Sequence, residues 1–233
     1  MSAIGLEPWL QHLLDHLPIA REGRDPEGVH QVRVAVRRLR VWLRLAGMRV
    51  LQDDLAWLVR AAGEVRDLEV LLQYPNLPKA FRTWAEHRLK QARTVFVPLL
   101  DSPRLAGLLR ALSILPPLDK KLAEFRLARF VRQVERRAQE WHSENSLEHL
   151  HALRRALRRL RYAQEWLEQD SHTVKTLQEI FGQVGDLSFT LNYLAAFEAE
   201  GGQVSMRYRK QLEASLADAL ETAKQAWRQK AQL

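Results

Sequence analysis

Two stretches of the chain carry side chains suited to gripping oxyanions. The first is His30-Gln31-Val32-Arg33-Val34-Ala35-Val36-Arg37-Arg38-Leu39-Arg40. The second is His151-Ala152-Leu153-Arg154-Arg155-Ala156-Leu157-Arg158-Arg159-Leu160-Arg161. They align without gaps and share the pattern H-x-x-R-x-x-[VL]-R-R-L-R. A guanidinium presents a planar fork of donors that matches the edge of a phosphate, so arginines repeated at this spacing point to oxyanion binding. A histidine at the head of each string is either a satisfied structural residue or, as its recurrence in both strings suggests, one that contacts the anion or orients an arginine. Further on, Gly63-Glu64-Val65-Arg66-Asp67-Leu68 aligns with Gly182-Gln183-Val184-Gly185-Asp186-Leu187. The order is kept, and the chain reads as two related halves that part near Pro116-Pro117.

On a helix, each string becomes a stripe. Taking His30 as the origin, Arg33, Arg37, Arg40 and Arg44 fall within ~80° on one side. Val32, Val36, Leu39 and Leu43 lie roughly opposite, while Val34, Val41 and Leu45 flank the other edge. An ordinary solvated face has a wide polar sector. A narrow cationic strip between apolar margins is expected to line a groove, its stems packed and its heads presented together. His151, Arg154, Arg158 and Arg161 repeat the geometry, edged by Tyr162 and Trp166. Glu165 stands where Arg44 continues the first stripe. Two such stripes facing each other would make a cationic channel with low-dielectric walls that focus its field. The competing arrangement is pairing with the protein's own acids, of which there are 28; within the stripes acids are nearly absent.

The elements that must hold these stripes are helical. Apolar residues recur at three- and four-residue spacing, and no alternating strand pattern emerges. The expected helices span about 7–17, 26–46, 51–64, 66–73, 79–97, 103–113, 119–142, 147–169, 172–183, 186–200 and 203–229. Asp25 followed by Pro26 reads as a cap with proline at the first helical position, and Ser146 as the cap of the following helix. Leu115-Pro116-Pro117 is the clearest break.

Composition agrees with an acidic partner. The 233 residues carry 28 Arg and 8 Lys, for a formal net charge of +8. That balance favours nucleic acid, polyphosphate, anionic lipid or an acidic protein. Cysteine is absent, which excludes disulfides, Cys-ligated zinc and Cys nucleophiles and suits a reducing cytoplasm. The first residues lack the basic head of a signal peptide, and no uncharged apolar run reaches the ~18 residues that cross a membrane. His149 and His151 stand two apart and point to different helix faces, so they make no metal pair.

The paired strings, with Gly63-Glu64-Val65-Arg66-Asp67-Leu68 and the string running on to Tyr162, resemble the CHAD family, the conserved-histidine α-helical domain. The resemblance spans about residues 5 to 230. It implies an all-α fold of two pseudo-symmetric antiparallel four-helix bundles, 5–115 and 118–230, packed around a central basic groove within one domain, 1–233. It also implies binding of inorganic polyphosphate by His30, Arg33, Arg37, Arg40, His151, Arg154, Arg158 and Arg161, with Arg66 joining from the first Arg-Asp turn. Gly185 leaves the second turn without the matching arginine. Arg38, Arg44 and Arg159 are added as neighbours on the strings, and Arg126, Arg129, Arg207 and Lys210 from helix position alone. Members of the family are often fused to a triphosphate-tunnel hydrolase domain with an E-x-E-x-K signature; here Glu198-Ala199-Glu200 is followed by Gly201-Gly202.

The expected function is therefore non-catalytic polyphosphate binding in the cytoplasm, with polyphosphate granules as a candidate destination and no cofactor or metal. A Gly-rich phosphate loop ending in Lys-Ser/Thr, a Gly-x-Ser-x-Gly turn and a His-Glu-x-x-His helix are all absent from the sequence. Asp67 and Asp186 read as Arg-orienting or capping groups rather than Mg²⁺ ligands. The alternative is single-stranded nucleic acid or tRNA in the same groove, which would need aromatic stacking partners.

Overall fold

In the computed structural model, which describes residues 3–230, the chain is all-helical. Ten helices follow in order: α1 (Glu7–Glu22), α2 (Pro26–Ala46), α3 (Gln52–Ala61), α4 (Gly63–Gln73), α5 (Lys79–Leu99), α6 (Pro103–Ser113), α7 (Lys120–Glu144), α8 (Leu147–Trp166), α9 (His172–Ala199) and α10 (Met206–Lys230). Two short strands, β1 (Ala3–Ile4) and β2 (Leu118–Asp119), pair antiparallel, with Ala3 opposite Asp119. They are too brief to show a periodicity in sequence, and β2 directly follows the Leu115-Pro116-Pro117 break. No described helix is long and apolar enough to cross a membrane.

The caps read from sequence are in place. The Asp25 carboxylate accepts from the Glu27 N–H at 2.8 Å, and Pro26 opens α2, where its missing N–H costs nothing. Ser146 Oγ accepts from the His149 N–H at 3.2 Å. Gly23 and Gly47, both at positive φ, close α1 and α2 in the left-handed conformation that glycine adopts without strain. One expectation fails. The segments 172–183 and 186–200 form the single helix α9, which runs straight through Gly182 and Gly185. Gly185 is buried, and the room its missing Cβ leaves is occupied by the Arg154 guanidinium. The glycine signals a close approach rather than a break.

The helices gather into two compact units. Among the described residues, one comprises 3–73, 86–128 and 162–169; the other comprises 74–85, 129–161 and 170–230. In the first, α1 packs along α2, burying Leu13 and Ala20 beside Val29, Val32, Val36 and Leu39. The two backbones meet closely where a Cβ on Gly28 would lie 2.5 Å from the Ala20 nitrogen. Trp42 is fully buried, and its Nε1–H donates to the Ile4 carbonyl at 3.0 Å, tying α2 to β1. In the second unit α9 packs on α10 around Phe181, Val184 and Leu194. Phe181 also meets Trp141 edge-on, with ring centres 5.5 Å apart.

Both stripe helices bury the face opposite their arginines. Val32, Val36, Leu39 and Leu43 on α2 and Leu153, Leu157 and Leu160 on α8 all reach the core. This burial is the main force fixing which way the cations face, since hydrophobic burial of a Val or Leu is worth about 1.5–3 kcal/mol each.

Candidate functional site

In the first unit α2 and α4 supply one cationic face. His30, Arg33, Arg37 and Arg40 are half-buried along α2, and Arg44 ends the stripe exposed. Arg33 is anchored from behind. Its Nη1 donates to the Val59 carbonyl at 3.0 Å, one of the unpaired carbonyls at the C-terminal end of α3. Its Nη2 stands 3.8 Å from Asp67 Oδ1. Arg66 reaches from α4 to the Pro26 carbonyl at 3.4 Å. Lower down, Arg40 Nε meets Gln52 Oε1 at 3.4 Å, and the Gln52 amide returns a bond to the Arg40 carbonyl at 2.9 Å. These contacts hold Arg33, Arg66 and Arg40 against neighbouring backbone and side-chain groups of the first unit.

The electrostatics show how far the cations converge. The His30 pKa is lowered by burial first, then by Arg66, with Arg37 and Arg33 adding to the effect and Glu27 opposing it. Three arginines and one carboxylate therefore act on one imidazole, which is held neutral. Burial raises the Asp67 carboxyl, while Arg33, Arg37 and Arg66 pull the other way. Burial also lowers Arg40, followed by repulsion from Arg44 and Arg60 against only Asp53. Each arginine remains a cation, because its ordinary value lies far above neutral pH.

The second unit repeats the arrangement on α8 and α9. His151, Arg154, Arg158 and Arg161 are half-buried on one face. Arg154 Nη2 stands 3.9 Å from Asp186 Oδ1, nearly the spacing of Arg33 from Asp67. The His151 pKa is again lowered, by burial and then by Arg154 and Arg155. Its Nε2 lies 3.2 Å from the buried Ser188 hydroxyl.

The repeat also explains where its two copies differ. Gly185 occupies the place of Arg66, and a Cβ there would fall 2.2 Å from Arg154 Nη1. In the second copy the Arg154 guanidinium thus lies over the position that sends out a side chain in the first. Gly185→Ala is expected to drive Arg154 off Asp186. A side-chain tip can swing away, and alanine is the better helix former, so stability should stay within ~1 kcal/mol of the parent. A crystal structure of the variant and a denaturant titration check the two halves of this expectation.

Several expected site residues are placed elsewhere. Arg38 and Arg159 hold equivalent positions in the strings, and both turn off the stripe. Arg38 lies between the Trp9 and Tyr162 rings, 4.1 and 4.5 Å from their centres, and pairs with Glu165 at 2.5 Å. Arg159 Nη1 donates to Gln133 on α7 at 3.2 Å. Glu165, which seemed to interrupt the second stripe, is the partner of Arg38. Arg126 donates to the Leu45 carbonyl at 2.8 Å and so caps the C-terminal end of α2. Arg129 on α7 and Arg207 and Lys210 on α10 are exposed.

Two residues outside the strings belong to the first face. Arg60 on α3 adds its field to Arg40; nothing in its local sequence marks it. Glu69 is buried on α4, 7% exposed, with Oε2 3.7 Å from Arg66 Nη1 and Oε1 3.9 Å from Arg93 Nη1. Burial pushes its carboxyl from the usual 4.5 up to about 7, against the pull of Arg66 and Arg93. The fold therefore keeps this proton where the unfolded chain releases it. The resulting stability is complete below about 4.5 and is lost as pH rises towards 7. Extending the repeat alignment two residues past Asp67 finds Glu69 opposite Ser188, and that mismatch is the sequence signal. Among the described residues no group of His, Asp and Glu is arranged to hold a metal ion.

The model of the CHAD domain family matches residues 5–186. Among solved structures, the crystal structure of the CHAD domain from the plant Ricinus communis superposes with a TM-score of 0.72 at 23% identity, covering 98% of this chain and 89% of that one. PptA from Streptomyces chartreusis superposes with a TM-score of 0.64 at 18% identity, covering all of both chains. No curated protein matches the sequence.

Proposed function

The chain belongs to the CHAD domain family, and from that premise we propose that it binds inorganic polyphosphate through the His/Arg faces of α2 and α8 without catalysing a reaction. One observation carries the reading. Each unit sets a histidine among arginines, with a carboxylate 3.8 Å from Arg33 in one and 3.9 Å from Arg154 in the other. These separations exceed hydrogen-bond length, so at these two contacts the carboxylate lowers the local positive field without a hydrogen-bonded bridge to the arginine. A run of phosphates, each with about one negative charge, is the natural complement to a face on which a histidine and several arginines converge. The ligands proposed are His30, Arg33, Arg37, Arg40, Arg44 and Arg66 on one face, and His151, Arg154, Arg158 and Arg161 on the other.

Nucleic acid fits less well. Stacking needs exposed rings beside the cations. Trp42 is fully buried, Trp9 and Tyr162 enclose Arg38, and Trp166 is buried with its Nε1–H on the Arg38 carbonyl. The aromatic residues nearest the stripes are thus already engaged.

The test is a competition titration of defined-length polyphosphate against single-stranded RNA at matched charge and salt. Polyphosphate is expected to displace the RNA, with a log–log salt slope of roughly 0.7 per phosphate engaged, by analogy with single strands. RNA displacing polyphosphate instead would hand the faces to nucleic acid. Polyphosphate incubated with the protein and Mg²⁺ should keep its length.

A further inference from the structure

Among the described residues, Glu69 is the buried carboxylate within reach of a proposed ligand cation. It sits behind Arg66 on α4, 7% exposed, with Arg93 of α5 on its other side. Asp25 at the N-cap of α2 adds a repulsive field, and Glu69 in turn acts on Arg33. Its separations from Arg66 and Arg93, 3.7 and 3.9 Å, are longer than ordinary hydrogen bonds, so Arg66 acts on it as a nearby charge and at most a weak side-chain bond. A buried carboxylate in this condition is costly when charged. Arg93 is held by other bonds, from its Nη2 to the Ala20 and Arg21 carbonyls at 3.0 and 3.1 Å that close α1. Arg66 is held more loosely, by the 3.4 Å contact to the Pro26 carbonyl beside its approach to Glu69. Of the two cations, Arg66 is the one whose charge is open to sharing.

We propose that Glu69 is a positioning residue that ties the loading of the first cationic face to proton uptake: ionised, it holds part of the Arg66 charge back from the ligand, and protonated, it releases Arg66 to the phosphates. This deepens the polyphosphate reading and rests on it. A polyanion drawing Arg66 towards itself removes the attraction that keeps Glu69 ionised, so binding and protonation of Glu69 favour each other, and by linkage the effect is reciprocal. Burial already brings the carboxyl to about 7, where a further rise of about one unit takes up about half a proton near neutral pH. His30 responds in the same sense, since phosphates screen the arginines that hold it neutral. The second face has no counterpart, because Ser188 stands in the place of Glu69 and does not ionise. Proton coupling is thus a property of the first face alone, apart from His151.

The experiment measures polyphosphate affinity at pH 6 and pH 8 at constant ionic strength. Long chains are used, because their internal phosphates stay ionised throughout. Calorimetry in two buffers of different ionisation heat counts the protons taken up. The wild type is expected to bind about fivefold more tightly at pH 6, as follows if the ligand raises the carboxyl from about 7 by about one pKa unit. Glu69→Gln should bind at pH 8 nearly as tightly as the wild type at pH 6, with lower proton uptake. Glu69→Ser, which installs the group of the second copy, should do the same, and circular dichroism verifies that both variants are folded. His30→Gln removes the part due to the imidazole. A Glu69→Gln profile parallel to the wild type, with unchanged proton uptake, overturns the assignment of Glu69 and leaves polyphosphate binding standing. A wild type that binds no polyphosphate at either pH overturns both.

Discussion

Replacing Arg37 and Arg158 together with glutamine is expected to weaken polyphosphate binding by about a hundredfold or more while leaving the helical fold in place. A hydrogen bond to a charged group contributes about 1.5–3 kcal/mol, so losing one such contact on each face removes about 3–6 kcal/mol. Both residues are half-buried on the histidine side of their helices, away from the leucines and valines that hold the core. Glutamine keeps part of the stem and places no charge in the interior, so stability should change by less than about 1 kcal/mol. Salt gives a second, independent readout. Two fewer engaged phosphates should reduce the log–log slope by roughly 1.4, at about 0.7 each. Titration at several salt concentrations measures both quantities at once. An unchanged affinity with an unchanged slope would remove the two faces from the binding reaction.

The features legible in sequence are those set by periodicity. The stripe on α2 was readable because Val32, Val36, Leu39 and Leu43 recur on one side and His30, Arg33, Arg37 and Arg40 on the other. Burial of the first set leaves the second set nowhere else to point. The reading of Asp67 and Asp186 as arginine-orienting groups agrees with the approach of Arg33 to Asp67 and of Arg154 to Asp186, because repeated residues on similarly packed helices meet similar partners. What stayed hidden depends on long-range contacts. Arg37 and Arg38 are adjacent in sequence and look alike, yet successive residues on a helix are turned by ~100°, so Arg38 leaves the stripe for Trp9, Tyr162 and Glu165. The role of Arg126 at the end of α2 is equally invisible, since it rests on a contact 81 positions away. Gly182 and Gly185 misled in the opposite sense. Glycine within a helical pattern suggests a break, but here it makes room for Arg154, a reason that only the packed structure supplies. Glu69 was missed because a lone acid two residues beyond a motif looks like surface until its burial is known.

Arg38→Ala provides the sharpest separation of the cations that build the fold from those proposed to bind the ligand. It should cost about 3–5 kcal/mol of stability, the range for breaking a buried ion pair by removing one partner. The side chains of Arg38 and Glu165 are 14% and 23% exposed, so the alanine variant leaves a largely buried carboxylate without its cation. It also empties the slot between Trp9 and Tyr162, where each cation–ring contact adds about 0.5–2 kcal/mol. Arg38→Met should be milder, because an unbranched apolar chain still fills that slot, and Glu165→Gln combined with Arg38→Met should recover more, because no orphaned charge remains. Denaturant unfolding of the two single variants and the double variant forms a cycle whose coupling term is expected to be large and favourable. Polyphosphate affinity of the folded Arg38→Met protein should stay near the wild-type value, the reverse of the Arg37/Arg158 result. If Arg38→Met keeps full stability but loses binding, then Arg38 serves the ligand, and the division between stripe and scaffold drawn from the helix geometry is wrong.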